Sequence, residues 1–135
     1  IRTASELDFD AVLALWCAAG SQPSLSDSHG GLAGLLACDP GALLLAESDG
    51  NVIGSLIAAW DGWRGSFYRL AVHPDHRRLG IGTALLQAGE RRLSDCGAMR
   101  LTAIVAADDP RAMDFWQAGE FELQEHRARF VKRSR

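Results

Sequence analysis

The sequence predicts a single α/β domain, residues 1–135, in which a mixed β-sheet is flanked by about four helices. Segments with apolar residues at helical spacing alternate with short apolar runs that end in turn residues. A glycine-rich turn joins one of these runs to a helix pattern. The apolar content of 47% is enough for a core, and no run of about eighteen apolar residues could span a membrane.

The first part of the chain is predicted to form two helices. Ser5 resembles an N-cap with Asp8 three residues on, and apolar residues then recur at helical spacing. Ile1 is interpreted as the end of a strand that begins before the given sequence. Residues 21–27 form a polar loop, and residues 28–37 form a short second helix that its glycines weaken.

The middle of the chain is predicted to form three consecutive antiparallel strands. Residues 42–47 and 52–60 are apolar runs on either side of the turn Ser48–Asn51, which predicts a hairpin covered on both faces. A second turn at Asp61–Gly62 leads into the third strand, residues 66–72.

The last part of the chain is predicted to alternate between helices and strands. A helix spans residues 81–95, with a glycine just past its end, and a strand follows at residues 99–105. Asp109 caps a further helix that has proline at its first position. Two short final strands are predicted at residues 121–123 and 127–131.

The turn Arg77–Thr83 lies where a strand pattern ends and a helix pattern begins. Its two glycines let a ligand approach backbone N–H groups that the first helical turn leaves unpaired. The helix dipole and two arginines add positive charge, which predicts a phosphate site, although the glycines could also serve tight packing alone. A P-loop is excluded because no lysine follows Gly82, and a dinucleotide fingerprint is excluded because position 85 is leucine.

The remaining pattern is Leu70-Ala71-Val72-His73-Pro74 followed by Arg77 to Gly82, which resembles the acetyl-CoA site of the GNAT N-acetyltransferase family. A later segment, Asp109 to Trp116 followed by Gly119-Glu120-Phe121, is similar to that family's Asn-x-x-Ala-x-x-Phe-Tyr-x-x-x-Gly-Phe. These motifs cover residues 66–121, and the elements before and after them fall in the family's order. The stretch Trp60-Asp61-Gly62-Trp63-Arg64-Gly65 makes the small single-domain bacterial members look closest.

The resemblance implies where acetyl-CoA would bind. The strand at residues 66–72 would splay from a parallel strand at residues 99–105, and the pantetheine arm would lie in the gap. Main-chain groups of Leu70 and Val72 would bind this arm, and an N–H near Leu70 would polarise the thioester carbonyl. Both residues could equally be ordinary core residues. The implied cofactor-binding residues are Leu70, Ala71, Val72, Arg77, Arg78, Leu79, Gly80, Ile81, Gly82, Thr83, Asp109, Ala112, Phe115 and Trp116.

Three residues are candidates for catalysis. Trp116 stands where the family usually has the tyrosine that protonates the leaving thiolate, but an indole cannot act as an acid. Tyr68, the only tyrosine, lies on the strand that would face the thioester, and its alternative role is that of a buried sheet aromatic. Glu47, like Asp27, could take the amine's proton through water.

Charge is divided unequally between the two halves of the chain. Residues 1–67 contain two arginines and eight acids, whereas residues 68–135 contain twelve basic residues and nine acids. The basic half suits an anionic cofactor and the acidic half a cationic acceptor such as an amine, unless these are surface charges distributed by chance. The predicted acceptor-binding residues are Trp16, Asp27, Trp60 and Tyr68.

Several other ligand classes are not predicted. His73 and His76 lie close in sequence, but a proline turn does not place both imidazoles on one face, so no metal is expected. A net charge of −3 and a basic tail without interleaved aromatics argue against nucleic acid. The three cysteines, Cys17, Cys38 and Cys96, are interpreted as buried, reduced thiols of a cytoplasmic protein.

The sequence therefore predicts an N-acetyltransferase that moves an acetyl group from acetyl-CoA to a primary amine by direct attack in a ternary complex. The amine belongs to a small molecule or a peptide, and a homodimer is allowed. The alternative is a CoA-binding sensor or regulatory module without turnover, which the departures at Asp109 and Trp116 favour. A third hypothesis, acetylation of a protein N-terminus, is weakened because ribosomal-protein acetyltransferases of the family carry glutamate where this chain has Ile104.

Overall fold

A computed structural model describes residues 1–21 and 23–134 of the chain. Its helices and strands, in chain order, are β1 (Arg2–Thr3), α1 (Phe9–Ala18), α2 (His29–Cys38), β2 (Leu43–Ser48), β3 (Asn51–Trp60), β4 (Gly65–Val72), α3 (Ile81–Cys96), β5 (Leu101–Ala103) and α4 (Pro110–Ala118). Short 3-10 segments at Glu6–Asp8 and Pro74–His76 precede α1 and α3.

The five strands form one mixed sheet in the order β1-β2-β3-β4-β5. The first four strands pair antiparallel with their neighbours, and β5 runs parallel to β4. This arrangement confirms the predicted mixed α/β fold. The N-terminal strand, expected to end at Ile1, is instead Arg2–Thr3, which pairs with β2. The sheet and the first three helices form one compact unit up to Ile104, and the chain from Val105 onward forms a second unit that carries α4.

Helices pack on both faces of the sheet. On one face a cluster of buried residues joins α1 and α2 to alternate residues of the strands. On the other face α3 packs at glycine positions: a Cβ on Gly89 would come within 2.8 Å of the Phe67 ring, and one on Gly54 within 3.0 Å of Ile81 and Leu85. These glycines allow α3 to lie unusually close to β3 and β4.

The predicted start of the first helix is confirmed, although a 3-10 segment comes before the α-helix. The N–H of Ser5 donates to the Asp8 carboxylate at 2.8 Å, which forms one half of a capping box. The Arg2 guanidinium donates to both oxygens of the same carboxylate at 2.8 and 2.9 Å. This pairing, with the Ser5 N–H, lowers the pKa of Asp8 to about 2.

The C-terminal part of the prediction is partly wrong. The strand expected at residues 99–105 is limited to Leu101–Ala103, and Met99 before it is 98% exposed. Residues 121–123 and 127–131 are not strands. The charged residues within these segments leave each of them only a short apolar face, and a strand also needs a partner for its backbone groups.

The three cysteines lie at the surface of the protein. Cys17, Cys38 and Cys96 are exposed, so the expectation that they are buried was wrong. Each lies on the outer side of a helix, because helical spacing assigns the core positions to other residues. Among the described residues, no helix combines the length and apolar character needed to cross a bilayer.

Candidate active site

The pairing between the parallel strands β4 and β5 ends after three residues of each strand. Gly65, Ser66 and Phe67 pair with Leu101, Thr102 and Ala103, and the pairing ends there. Within the part of the chain that the structure describes, no strand pairs with residues 68–72 on that side of β4. We call residues 68–72 on this side the unpaired edge. It offers backbone donors and acceptors to an extended ligand, as an exposed strand does.

A β-bulge lies at the start of the unpaired edge. Ile57 pairs with Tyr68 and Ser55 pairs with Ala71, so two residues of β4, Arg69 and Leu70, lie opposite the single residue Leu56. Arg69 has φ +54, a left-handed conformation that is uncommon for residues other than glycine. The bulge therefore stores some backbone strain beside the point where the pairing with β5 ends.

The bulge changes which backbone groups face the unpaired edge. Before it, the Gly65 N–H donates to the Arg100 carbonyl at 3.0 Å, on the β5 side. After it, the His73 N–H donates to the Ile53 carbonyl at 2.8 Å, on the β3 side. Backbone direction alternates along a strand, so the groups of Leu70 and Val72 point to the unpaired edge. Ala71, between them, packs in the core cluster with α1.

The bulge carbonyl belongs to a buried hydrogen-bond chain. The Trp16 indole N–H donates to Ser55 Oγ at 2.8 Å, and the Ser55 hydroxyl donates to the Arg69 carbonyl at 3.1 Å. Ser55 is fully buried, and Trp16 is only 3% exposed. Sequence reasoning missed Ser55; the one available signal was a hydroxyl inside the apolar run of β3. Trp16, predicted to line the acceptor site, is part of the core instead.

The glycine turn before α3 has the backbone geometry of an anion-binding loop. Arg78 has φ +65 and Gly80 has φ +81, while Arg77 between the 3-10 segment and the turn is extended. Alternating backbone conformations of this kind turn successive N–H groups toward a common side. Gly80 is the N-cap of α3 and has no side chain to cap the first-turn N–H groups.

The residues of the turn differ in what they offer to a ligand. A Cβ on Gly80 would meet no atom within 4 Å, so the space beside it is open. Leu79 is 68% exposed and Arg78 is also exposed. The Arg77 guanidinium donates to the Ala19 carbonyl at 3.2 Å, which ties the turn to the end of α1. Arg78 is thus the arginine whose side chain is more available for charge contact with a phosphate.

Asp27, predicted to bind the acceptor, is paired with an arginine of the bulge. Arg69 donates from Nε and Nη2 to the two oxygens of Asp27, at 3.1 and 2.6 Å. Both side chains are about one-fifth exposed or less, at 21% and 17%. The Arg69 guanidinium also lies 5.4 Å from the centre of the Trp16 ring. This ion pair connects the loop before α2 to the bulge.

The other predicted acceptor and catalytic residues of this unit lie at separate places. Tyr68 is 39% exposed and lies at the start of the unpaired edge, beside the bulge. Glu47 lies near the end of β2 and binds Arg2, with Nε to Oε2 at 3.3 Å. Trp60 ends β3, where its N–H donates to Asp39 at 2.9 Å. Of these three, only Tyr68 is on the strand that carries the bulge.

The second unit has the local structure that its motif predicts. Asp109 caps α4 by accepting from the Ala112 N–H at 3.2 Å, and Pro110 is the first helical residue. Trp116 is 8% exposed and makes edge-to-face contacts with Phe115 and Phe121, with ring centres 5.5 and 5.0 Å apart. The roles of Asp109, Ala112, Phe115 and Trp116 toward the cofactor stay predictions.

The two histidines before the glycine turn, His73 and His76, make contacts with their neighbours in sequence. His73 Nδ1 accepts from the Asp75 N–H at 3.2 Å, and the His73 and His76 rings meet edge-on with centres 5.9 Å apart. In residues 1–21 and 23–134 no group of three or more His, Cys, Asp or Glu side chains is arranged to hold a metal ion.

The sequence matches known proteins of the family that its motifs resemble. The family described as Acetyltransferase (GNAT) family matches residues 9–119. An acetyltransferase of Sodalis glossinidius (strain morsitans) is 33% identical over 125 residues, which are 93% of this chain and 88% of that protein.

Solved structures show the same fold. The aminoglycoside antibiotic 6'-N-acetyltransferase of Acinetobacter haemolyticus aligns with a TM-score of 0.77 at 24% identity, over 99% of this chain and 98% of that one. The PaiA N-acetyltransferase of Thermoplasma acidophilum, solved in complex with coenzyme A, aligns with a TM-score of 0.76 at 16% identity, over 92% of this chain and 89% of that one.

Proposed function

This chain belongs to the GNAT acetyltransferase family, and from that premise we propose that it transfers an acetyl group from acetyl-CoA to a primary amine of a small molecule or peptide. The transfer proceeds by direct attack of the amine on the thioester in a ternary complex. One observation carries the proposal: an unpaired strand edge with a bulge is followed, after one short 3-10 segment, by a glycine turn at the start of α3 that has no capping side chain.

These two features match two chemical parts of acetyl-CoA, the pantetheine arm and the pyrophosphate. The backbone groups of Leu70 and Val72 can bind the pantetheine arm in the way that a neighbouring strand would. The N–H groups of Gly80 to Thr83 lie at the N-terminus of α3, where the helix dipole favours binding of a pyrophosphate. Arg78 adds a full positive charge, and the absent side chain at Gly80 leaves room for the phosphate oxygens.

The chain's own contribution to the reaction is positioning and electrostatic stabilisation. Acetyl-CoA supplies the acetyl group as a thioester, whose thiolate is a good leaving group near neutral pH. The Leu70 N–H, directed to the unpaired edge, donates to the carbonyl oxygen as negative charge develops there. Because the bulge holds this donor in place before the substrate arrives, little reorganisation is needed during the reaction.

Proton removal from the amine has three candidate groups. An amine with a pKa of about 10 is mostly protonated at neutral pH, so its proton must leave before attack. Tyr68 is the candidate that precedes the bulge on β4, and it is 39% exposed. Asp27 and Glu47 are each bound to an arginine, so either would have to act through water while keeping its partner. Trp116 is placed near the thiolate by the family motif only.

The proposed acceptor site includes Tyr68, Trp60 and the loop that carries Asp27. A cationic amine would compete with Arg69 for the Asp27 carboxylate, because both oxygens of Asp27 already accept from that guanidinium. We also propose a cytoplasmic location, which suits the odd number of widely spaced cysteines. Neither nucleic acid nor a membrane is proposed as a partner, and a homodimer remains compatible with the proposal.

The second candidate function is a CoA-binding sensor or regulatory module without turnover. The observation that favours it is the tryptophan at position 116, which cannot supply a proton to the leaving thiolate. Both functions require binding of CoA, so only turnover distinguishes them.

The test is incubation of the protein with acetyl-CoA and a panel of polyamines, aminoglycosides and peptides, with release of free thiol followed over time. An N-acetyltransferase releases thiol only when a suitable amine is present, and mass spectrometry of the acceptor shows one added acetyl group. Tight binding of acetyl-CoA without amine-dependent thiol release would favour the sensor. A protein that does not bind CoA would contradict both functions.

A further inference from the structure

We propose that Ser55 is a positioning residue for acetyl transfer, because its hydroxyl holds the bulge that turns the Leu70 N–H toward the unpaired edge. The inference rests on the proposed function. Ser55 is on β3, on the opposite side of β4 from β5, and it is fully buried. It therefore acts through the backbone of β4 and does not contact the substrate.

The Ser55 hydroxyl provides a hydrogen-bond donor for the carbonyl of the bulge. A bulge leaves a carbonyl out of the regular ladder, and a buried carbonyl without a partner is costly. The Ser55 hydroxyl donates to that carbonyl, on Arg69, at 3.1 Å. The Trp16 indole N–H donates to the same oxygen of Ser55 at 2.8 Å and fixes the direction in which the hydroxyl proton points.

The bulge also has a strained residue that other contacts must hold. Arg69 keeps φ +54 although it has a side chain, and its guanidinium is fixed by two hydrogen bonds to Asp27. Two anchors thus act on one residue: Ser55 holds its carbonyl and Asp27 holds its side chain. Asp27 belongs to the loop before α2, whereas Ser55 belongs to β3 and is fully buried.

Loss of the Ser55 hydroxyl would change which backbone groups of β4 face the unpaired edge. The bulge makes Leu70 and Val72, instead of Arg69 and Ala71, face the unpaired edge, because it inserts one residue between the paired positions Tyr68 and Ala71. Without the hydrogen bond from Ser55, conformations with a shifted or flattened bulge become populated. In these conformations the Leu70 N–H no longer points toward the thioester carbonyl.

The kinetic test compares Ser55→Ala with Val12→Ala. Val12 is fully buried in α1, so its truncation lowers stability without touching the Ser55 hydrogen bonds. We expect Ser55→Ala to lower kcat by about thirtyfold, while KM for acetyl-CoA changes by about threefold or less. The expected loss is smaller than the roughly hundredfold or greater cost of removing an oxyanion donor, because the Leu70 N–H is misaligned and not removed. Val12→Ala should keep kcat within about threefold of wild type. Ser55→Cys, which keeps a weak donor of similar size, should lower kcat by an intermediate factor, and it replaces Ser55→Ala if that variant does not fold.

Two results would overturn the positioning role. One is a kcat for Ser55→Ala within about threefold of wild type. The other is an equal loss of kcat in Val12→Ala, when the two variants have the same melting temperature. Amide NMR gives a second readout that does not need turnover. In wild type the Leu70 amide should shift more with acetyl-CoA than with CoA, and this difference should vanish in the Ser55 variant. If the Leu70 amide of the Ser55 variant responds to acetyl-CoA as the wild-type amide does, the inference is wrong. This readout also applies if the wild type binds acetyl-CoA without turnover, in which case only the proposed function has failed. A wild type that does not bind acetyl-CoA contradicts both.

Discussion

Among single residues, the arginines decide which carboxylates remain available to a cationic acceptor. Arg69 binds Asp27 and Arg92 binds Asp39, so two acids of the first half are neutralised by basic residues of the second half. Arg92 also donates to the Gly41 carbonyl at 2.6 Å, which fixes it to the start of β2. The acidic surface of the first half is therefore smaller than its charge count indicates, and Asp27 can bind an amine only in competition with Arg69.

Asp8 is predicted to make stability depend on pH in acid. Its folded pKa of about 2 is below the ordinary value of 3.8, so the folded state gains stability above about pH 4 and loses it as pH falls toward 2. We expect Asp8→Asn to lower the free energy of unfolding by about 1 kcal/mol at pH 7, a modest value because Arg2 is partly exposed.

Urea unfolding between pH 7 and pH 2 tests this prediction. The difference between wild type and Asp8→Asn should shrink steadily below pH 4. Asp114→Asn, which removes an exposed carboxylate on α4, controls for the loss of one charge. A difference that stays constant down to pH 2 would show that the Arg2 pairing is not its cause.

Replacing Trp116 with tyrosine is predicted to change kcat by about tenfold or less. The leaving thiol has a pKa of about 8.5 and leaves as thiolate without a full proton transfer, so an acid at this position gives only a modest gain. The rate of both proteins should rise with pH toward the pKa of the amine, because the free base is the reactive form. A bell-shaped profile centred near pH 7, or a thousandfold gain in Trp116→Tyr, would contradict this account.

At the scale of elements, α3 connects the sheet to the candidate phosphate site. It packs closely on β3 and β4 at Gly54 and Gly89, and its N-terminus follows the left-handed residues Arg78 and Gly80. A rigid helix that is fixed along its length presents its first N–H groups at a defined position. The same helix therefore contributes both to the core and to the candidate cofactor site.

Gly82→Val is predicted to abolish binding of acetyl-CoA while the protein remains folded. The branched side chain would occupy the space that the pyrophosphate needs beside the first-turn N–H groups, and valine costs a helix no more than glycine does. Gly34→Val is the matched control, because Gly34 is in α2 and its Cβ would meet no atom within 4 Å. Calorimetry should detect binding in the control only, and wild-type affinity in Gly82→Val would contradict the cofactor site.

At the scale of the whole molecule, the net charge of −3 combines an acidic first half with a basic second half. Charges that lie within ion pairs contribute little to long-range attraction, so the remaining exposed acids set the attraction for a cation. We therefore expect a moderate electrostatic effect on the binding of a cationic acceptor.

The kcat/KM for a cationic acceptor is predicted to fall a fewfold as salt rises from low to high concentration. Added salt shortens the range of exposed charges to about 10 Å at 0.1 M. A neutral amine of similar size serves as the control and should show a smaller change. Equal salt dependence for both acceptors would show that the acidic half does not attract the substrate.

The sequence alone determined the features that depend on neighbours in the chain. Ser5 and Asp8 form their cap, the turn between β2 and β3 lies where its residues predicted it, and α3 begins at Ile81 as its apolar spacing predicted. Each of these results from backbone preferences within a few residues, and the motifs of residues 70–82 and 109–121 together identified the family.

Only the tertiary structure decided the contacts between distant residues. The bulge at Arg69 depends on register with β3, and its partners Ser55 and Asp27 lie 14 and 42 residues away in sequence. No local pattern encodes such pairs, because which side chains meet is set by how strands align and helices pack. For the same reason Trp16 was assigned to the acceptor site although it is buried in the core, and two strands were predicted at residues 121–123 and 127–131, where the backbone pairs with no strand.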